Sequence, residues 1–258
     1  AAAAELCELS PEARQLLAGH LRPIVLLPRL NLADARDRIA PAVADNLAGL
    51  GLMLPYTPLH HLLLDHTARP LVMTSANFAD EPLVKDNDDA IAELAALADG
   101  LLLHNRRIQR RLDDSVVQLT GLGTLSVIRR ARGYAPQPVR ITALSAENRS
   151  PSILAVGAEL KSAVCLYRAG WAMLGEHIGD LKDGRTYRHF IDTIRHLEDL
   201  FEVRPETIAA DMHPQYLSSE YAARRARGEL AGCPPGRLIR VQHHHAHAAA
   251  CLAENDHA

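Results

Sequence analysis

The spacing of apolar runs between residues 153 and 241 most constrains what this chain can become. Three short runs open the stretch, at 153–157, 163–166 and 171–174. Arg168, Ala169 and Gly170 join the second to the third, a turn chemistry that reads as a hairpin. A helix follows, with apolar residues at Tyr187, Phe190, Ile191, Ile194, Leu197 and Phe201. Steps of three and four place these side chains on one stripe. Residues 207–210 read as a strand, 215–227 as a helix and 238–241 as a strand. Strand, strand, strand, helix, strand, helix, strand calls for a sheet with helices packed on it, an α/β arrangement.

The first half alternates in the same way. Ser10, Pro11 and Glu12 read as an N-cap, a proline at the first helical position and an early acid. Strands are expected at 23–28, 51–55, 70–74, 101–104, 115–119 and 125–130, and residues 31–48 as loop with a short helix. Thr57 and Pro58 open a helix through Asp65, and residues 86–89 cap another carrying Ile91, Leu94, Ala95 and Ala98. Residues 134–152 turn extended and polar, which places a domain boundary there. Two domains are expected, 1–142 and 151–258. Both ends read as cuts within a longer protein, since the first residue is Ala1 and the last stretch carries no helix-ending signal.

Composition excludes several classes of function. The formal net charge is −3 and aromatic residues make up 4% of the chain, which argues against a nucleic-acid-binding surface. The four cysteines, at 7, 165, 233 and 251, show no C-x-x-C spacing, so neither a zinc ribbon nor a disulfide scaffold is indicated. A reducing, cytoplasmic setting fits them. No apolar run reaches the roughly 20 residues of a membrane helix.

Four constellations carry candidate chemistry. His243, His244, His245 and His247 follow a strand and open an alanine-rich helix. Residues four apart share a helix face, so His243 and His247 can offer two imidazoles to one metal. Thr74, Ser75, Ala76 and Asn77 end an expected strand, where hydroxyl and amide groups can meet phosphate. Arg106, Arg107, Arg110, Arg111, Arg129, Arg130 and Arg132 form a basic series, interrupted by Asp113, Asp114 and Ser115. Gly157, Glu159, Lys161, Glu176, His177, Asp180, Asp211 and His213 fall at expected strand ends, where α/β folds gather ligands.

In order, the chain carries PYTPLHHLLL, TSAN, RLDDSVV, RRARGYAP, GAELKSAV, EHIGDL, DMHPQYLS and VQHHHAHAAA. This run resembles the HypF family of hydrogenase-maturation carbamoyltransferases over nearly the whole chain. The resemblance implies the later part of a YrdC-like α/β domain, followed by the start of a ribonuclease-H-like domain of the actin and sugar-kinase superfamily. It implies that carbamoyl phosphate and ATP give carbamoyl-adenylate, and that the carbamoyl group passes to the C-terminal cysteine of a HypE-like acceptor. ATP, Mg²⁺ and one transition metal, iron or zinc, are the cofactors it implies. Carried onto this sequence, the nucleotide-binding positions are Thr74, Ser75, Asn77, Ser115, Arg129, Arg130 and Gly157. The catalytic positions are Lys161, Glu159 and His177, and the metal positions are His243 and His247. Carboxylates that complete the metal site, and half of each nucleotide pocket, are expected outside this chain. Two rival readings keep parts of this pattern: an O-carbamoyltransferase or threonylcarbamoyl-adenylate synthase relative, and a YrdC-like module that binds double-stranded RNA.

Overall fold

The computed structural model describes residues 2–30, 39–78, 81–141 and 151–255. They form two compact units, Ala1–Ser75 with Asp113–Tyr134, and Ala76–Leu112 with Ala135–Ala258.

The first unit is built on a four-stranded sheet. Its strands are β1 (Ile24–Pro28), β2 (Gly49–Leu52), β3 (Val116–Leu119) and β4 (Leu125–Arg129), in the order β2-β1-β3-β4. β1 and β3 are parallel; β2 and β4 pair antiparallel on either side. Helices α1 (Ala2–Leu6) and α2 (Pro11–Ala18) supply Leu6, Ala13 and Leu17 to a core that also holds Val25, Leu27, Leu50, Val117 and Tyr134. Ser10 caps α2 as its sequence suggests, its hydroxyl accepting the Ala13 N–H at 3.1 Å. Thr57 does the same for α3 (Pro58–Thr67), accepting from the His60 N–H at 3.2 Å. A glycine is required at 133, where φ is +85° and a Cβ would meet the Leu21 carbonyl at 3.0 Å.

The second unit holds a six-stranded sheet. It contains β5 (Pro138–Arg140), β6 (Ile153–Ala155), β7 (Cys165–Arg168), β8 (Trp171–Leu174), β9 (Thr207–Asp211) and β10 (Arg237–Val241), in the order β10-β9-β6-β7-β8-β5. β6, β9 and β10 are parallel, and β7 runs antiparallel between β6 and β8. Helix α5 (Gly184–Leu200) packs its apolar stripe on this sheet, with Phe190, Ile194 and Leu197 at 0% exposure. Each such burial is worth about 1.5–3 kcal/mol. Asp183 starts the helix by accepting the Arg185 and Thr186 N–H groups. Helix α6 (Leu217–Ala226) adds Tyr221 and Ala222 to the same core, and α7 (His243–Glu254) follows β10 directly. α4 (Asn87–Leu94) belongs to this unit, where Glu93 takes both guanidinium nitrogens of Arg185 at 2.6 and 2.7 Å.

Two expected strands do not form. Residues 70–74 and 101–104 have no sheet partners among the described residues, and Val72 and Leu102 are more than 70% exposed. An apolar run can become a strand only where a neighbour takes its backbone N–H and C=O groups. Among the described residues no strand does so here. Conversely, Pro138–Arg140, read from sequence as extended linker, pairs with β8 as an edge strand, a position that tolerates proline. The rest of the expected boundary stretch, 142–150, lies outside the described residues.

Candidate functional site

Parallel strands end together. β6, β9 and β10 share a direction, and β8 runs with them because β7 reverses twice between. The chain therefore leaves the sheet four times at one edge, before Gly157, before Glu176, after Asp211 and before His243. Ligands in α/β sheets bind beyond such carboxyl ends.

The histidine pair stands at this edge. His243 opens α7 and His247 lies one turn on, their rings 4.8 Å apart at 71°. The two Nε2 atoms are 3.1 Å apart. Two imidazole nitrogens at ordinary zinc distances, about 2.0–2.1 Å, stand roughly 3.3–3.4 Å from each other around a tetrahedral ion, close to the separation seen here. The donor type and its spacing thus fit a metal. The pair supplies two ligands; among the described residues no group of three or more His, Cys, Asp or Glu side chains is arranged to hold an ion. His243 Nδ1 meets Asp211 Oδ2 at 2.6 Å. Burial works against the charged Asp211 carboxyl, but hydrogen bonds from His243 and from the His213 N–H hold its pKa below the usual value.

The loop after β6 is tightly specified. Gly157 has φ +70°, and a Cβ there would sit 2.3 Å from the Ala163 carbonyl oxygen, so only glycine fits. Lys161 is exposed in a left-handed turn, with φ +47°. The Ser162 N–H donates to the Gly179 carbonyl at 2.9 Å and the Ile178 N–H to the Ser162 carbonyl at 2.8 Å, which ties this loop to the one after β8. Glu159, expected as a catalytic carboxylate, is 3% exposed and accepts the Leu217 N–H at 2.7 Å. It caps α6 from 58 residues away, its charge facing the positive end of the helix dipole. His177 is half-buried beside Glu176. Glu176 is itself buried and takes Arg110 at 2.5 Å and the Thr193 hydroxyl at 3.4 Å.

In the first unit, Ser115 has no exposed surface. Its hydroxyl donates to the Arg132 carbonyl and accepts the Ala131 N–H, which leaves no hydrogen for a nucleotide. Arg132 is also committed: its guanidinium meets Asp114 at 2.8 Å, the Leu21 and Arg22 carbonyls, and the Tyr56 ring at 3.5 Å. Arg129 is exposed, and Arg130 reaches the Tyr134 carbonyl at 3.3 Å. Thr74 and Ser75 are exposed at the end of the first unit. Asn77, in the second unit, donates its amide to the Phe78 and Glu81 carbonyls and closes a turn.

Two contacts were not foreseen from sequence. Asp211 was noted as part of DMHP, but its pairing with His243 needs the β9–β10 register, which sets Asp211 opposite Val241. The Arg110–Glu176 pair joins residues 66 apart, and no local pattern announces it.

No helix among the described residues is long and apolar enough to cross a membrane. The Sua5, YciO and YrdC model, described as telomere recombination, matches residues 1–131, and the HypF Kae1-like domain model matches residues 148–254. The carbamoyltransferase HypF of Rhodobacter capsulatus is 44% identical over 252 residues, covering 98% of this chain. The crystal structure of full-length HypF in the phosphate- and nucleotide-bound form superposes with a TM-score of 0.85 at 42% identity, covering 98% of this chain and 37% of that one. T. kodakarensis HypF gives 0.87 at 35% identity, covering 98% and 32%. The chain spans 32% of the length of the R. capsulatus protein. Matched by both domain models and aligned with HypF from end to end, the chain belongs to the HypF carbamoyltransferase family.

Proposed function

We propose that this chain carries the junction of the two chemical steps of a cytoplasmic, ATP-dependent carbamoyltransferase. Water cleaves carbamoyl phosphate to carbamate and inorganic phosphate; in the first step on this chain a carbamate oxygen attacks the α-phosphorus of ATP and pyrophosphate leaves, its charge one that Mg²⁺ would neutralise. Carbamate is a poor electrophile, and the adenylate gives its carbonyl a good leaving group. In the second step, the C-terminal cysteine thiolate of a HypE-like acceptor attacks that carbonyl, and AMP departs. Exclusion of water protects the intermediate between the steps.

The observation that carries this reading is the pair of Nε2 atoms 3.1 Å apart at the carboxyl edge of the second sheet. Iron or zinc, held by His243 and His247, would supply Lewis acidity toward the carbonyl or phosphate oxygens. The chain's own residues do the rest. The glycine at 157 lets backbone come close to a phosphate group, and Lys161 offers its ammonium from the exposed turn beside it. Glu159 acts by fixing that loop to α6, a supporting role in place of direct catalysis. His177 stands at the same edge as the candidate acid or base for the thiol proton. On the first unit, Thr74, Ser75, Arg129 and Arg130 are the groups proposed to meet the nucleotide. Ser115 holds the Ala131–Arg132 backbone that follows Arg130.

The test uses the full-length protein of which this chain is a part, with ATP, carbamoyl phosphate and a HypE-like C-terminal peptide. Mass spectrometry should find one carbamoyl group on the peptide cysteine. A His243→Ala, His247→Ala double variant should keep carbamoyl-phosphate-dependent ATP–pyrophosphate exchange and lose transfer. Undiminished transfer in that variant would remove the histidine pair from the reaction.

A further inference from the structure

The parallel register of β9 and β10 has a chemical consequence at the histidine pair. Asp211 ends β9 opposite Val241, and two residues later the chain becomes α7. The Asp211 side chain is 8% exposed, against 51% for His243. Both its oxygens are engaged: Oδ1 accepts the His213 N–H at 2.8 Å, and Oδ2 meets His243 Nδ1 at 2.6 Å. Its own carbonyl is held by the Ser219 hydroxyl at 3.0 Å. The carboxylate cannot swing away without losing both of its hydrogen bonds.

A carboxylate only accepts hydrogen bonds, so the hydrogen in the 2.6 Å contact sits on His243 Nδ1. A neutral imidazole carries one N–H, and His243 Nε2 is left with its lone pair. That is the atom 3.1 Å from His247 Nε2. We propose that Asp211 is a positioning residue for the two-histidine centre. It locks His243 in the Nδ1–H tautomer and turns its Nε2 lone pair toward the point His247 also faces. In the metal-free chain His247 then donates its Nε2 hydrogen to His243. Metal-bound histidines commonly hold their second nitrogen on a carboxylate in this way. The inference rests on the metal role proposed above, but its first consequence, the tautomer, exists without any metal.

Asp211→Asn makes the test sharp. The asparagine oxygen can still accept the His213 N–H. Its NH₂ group then faces His243 Nδ1 and can only donate, which forces the hydrogen onto Nε2 and blocks the lone pair. Long-range ¹⁵N–¹H correlation spectra of the metal-free chain at pH 8 should show His243 as Nδ1–H, and as Nε2–H in Asp211→Asn. Cobalt(II), followed by its visible absorption, should bind the variant about 10–100-fold more weakly. A merely structural Asp211 would lower the melting temperature and leave the tautomer alone. An Nε2–H tautomer in the unsubstituted chain overturns the proposal without any variant being needed. So does a tautomer or cobalt affinity that Asp211→Asn leaves unchanged. His243→Ala separates the two readings: if it binds cobalt as the unsubstituted chain does, the metal role fails, while the tautomer measurement still decides the role of Asp211.

Discussion

Helices α3 and α5 show how differently the two units use similar residues. α3 carries Leu59, Leu62, Leu63 and Leu64 and buries none of its residues; Leu62 is 67% exposed. α5 buries Phe190, Ile194 and Leu197 completely. The contrast extends to the cores. In the second unit Leu154, Val156, Leu166, Leu181 and Ile208 have no exposed surface. In the first, an apolar cavity of about 430 Å³ lies between α3 and β2, lined by Leu6, Ile24, Leu52, Leu54, Leu64 and Met73 among others. Close packing is the norm in protein interiors, and side chains that line a half-open cleft lack packing partners on that side. The lesson is that leucine content states a capacity for burial. Whether it is realised depends on a partner surface, and only the second unit supplies one for each apolar face of its long helix.

The largest test of this difference is Arg225→Ala. Arg225 has no exposed surface, pairs with Glu198 at 2.5 Å and meets the Tyr221 hydroxyl at 3.1 Å. Burial already pushes the Glu198 carboxyl above its usual pKa, with the Arg225 charge opposing. Removing the arginine strands a buried carboxylate and should cost about 3–5 kcal/mol. Trp171, the only tryptophan, lies in the second unit, so its fluorescence in urea reports this loss directly.

A pair of leucine truncations follows. Leu166→Ala opens a new hole in a filled core and should cost about 2–5 kcal/mol. Leu54→Ala only widens a cavity that already exists, so fewer contacts are lost and the cost should be about 1 kcal/mol. Hydrogen exchange resolved along the chain would assign each loss to its own unit. Equal costs at the two positions would mean the cavity is not a real weakness.

What could be read in advance follows the same division. The hairpin of β7 and β8, the stripe of α5 and the alternation ending at β10 all follow from local spacing, and each forms. The His243–His247 pairing was legible because a helical step of four is a local property. The strands expected at 70–74 and 101–104 failed because pairing is not local: Val72, Met73 and Leu102 have the right character but no strand partner among the described residues. Three site details were hidden for the same reason. Glu159 caps a helix 58 residues onward, Asp211 meets His243 across 32 residues, and Arg110 reaches Glu176 across 66. Ser115 shows the converse. Its place in RLDDSVV suggests a phosphate contact, whereas its hydroxyl is used up by the Ala131 and Arg132 backbone.

A smaller effect is expected at Gly157. A methyl group there must displace the Ala163 carbonyl and accept a left-handed backbone, so Gly157→Ala should cost about 1–3 kcal/mol. The damage should concentrate in faster hydrogen exchange at Ser162 and Ile178, whose backbone bonds tie the two edge loops together. Slow exchange at both amides in the variant would show that the loop tolerates the methyl group.

The smallest effect is a slope in pH. His189 lies on α5, 9% exposed. Burial lowers its pKa from the ordinary 6.5; Glu176 opposes this, and Arg111 and Arg110 reinforce it. With a folded pKa below the unfolded one, the unfolded chain takes up a proton first as acid is added. Stability is therefore intact above pH 6.5 and is lost as pH falls from there through the lower folded value. One proton sets a ceiling of about 1.4 kcal/mol per pH unit on that slope. His189→Gln cannot take up this proton, so the difference in urea midpoint between pH 7.5 and 5.5, read at Trp171, should shrink relative to the unsubstituted chain. The neighbouring Glu176, Asp192, Arg110 and Arg111 are present in both proteins, so what they contribute cancels in the comparison. A pH response identical in the two would place the proton elsewhere and leave the buried imidazole without a part in the acid sensitivity of the better-packed unit.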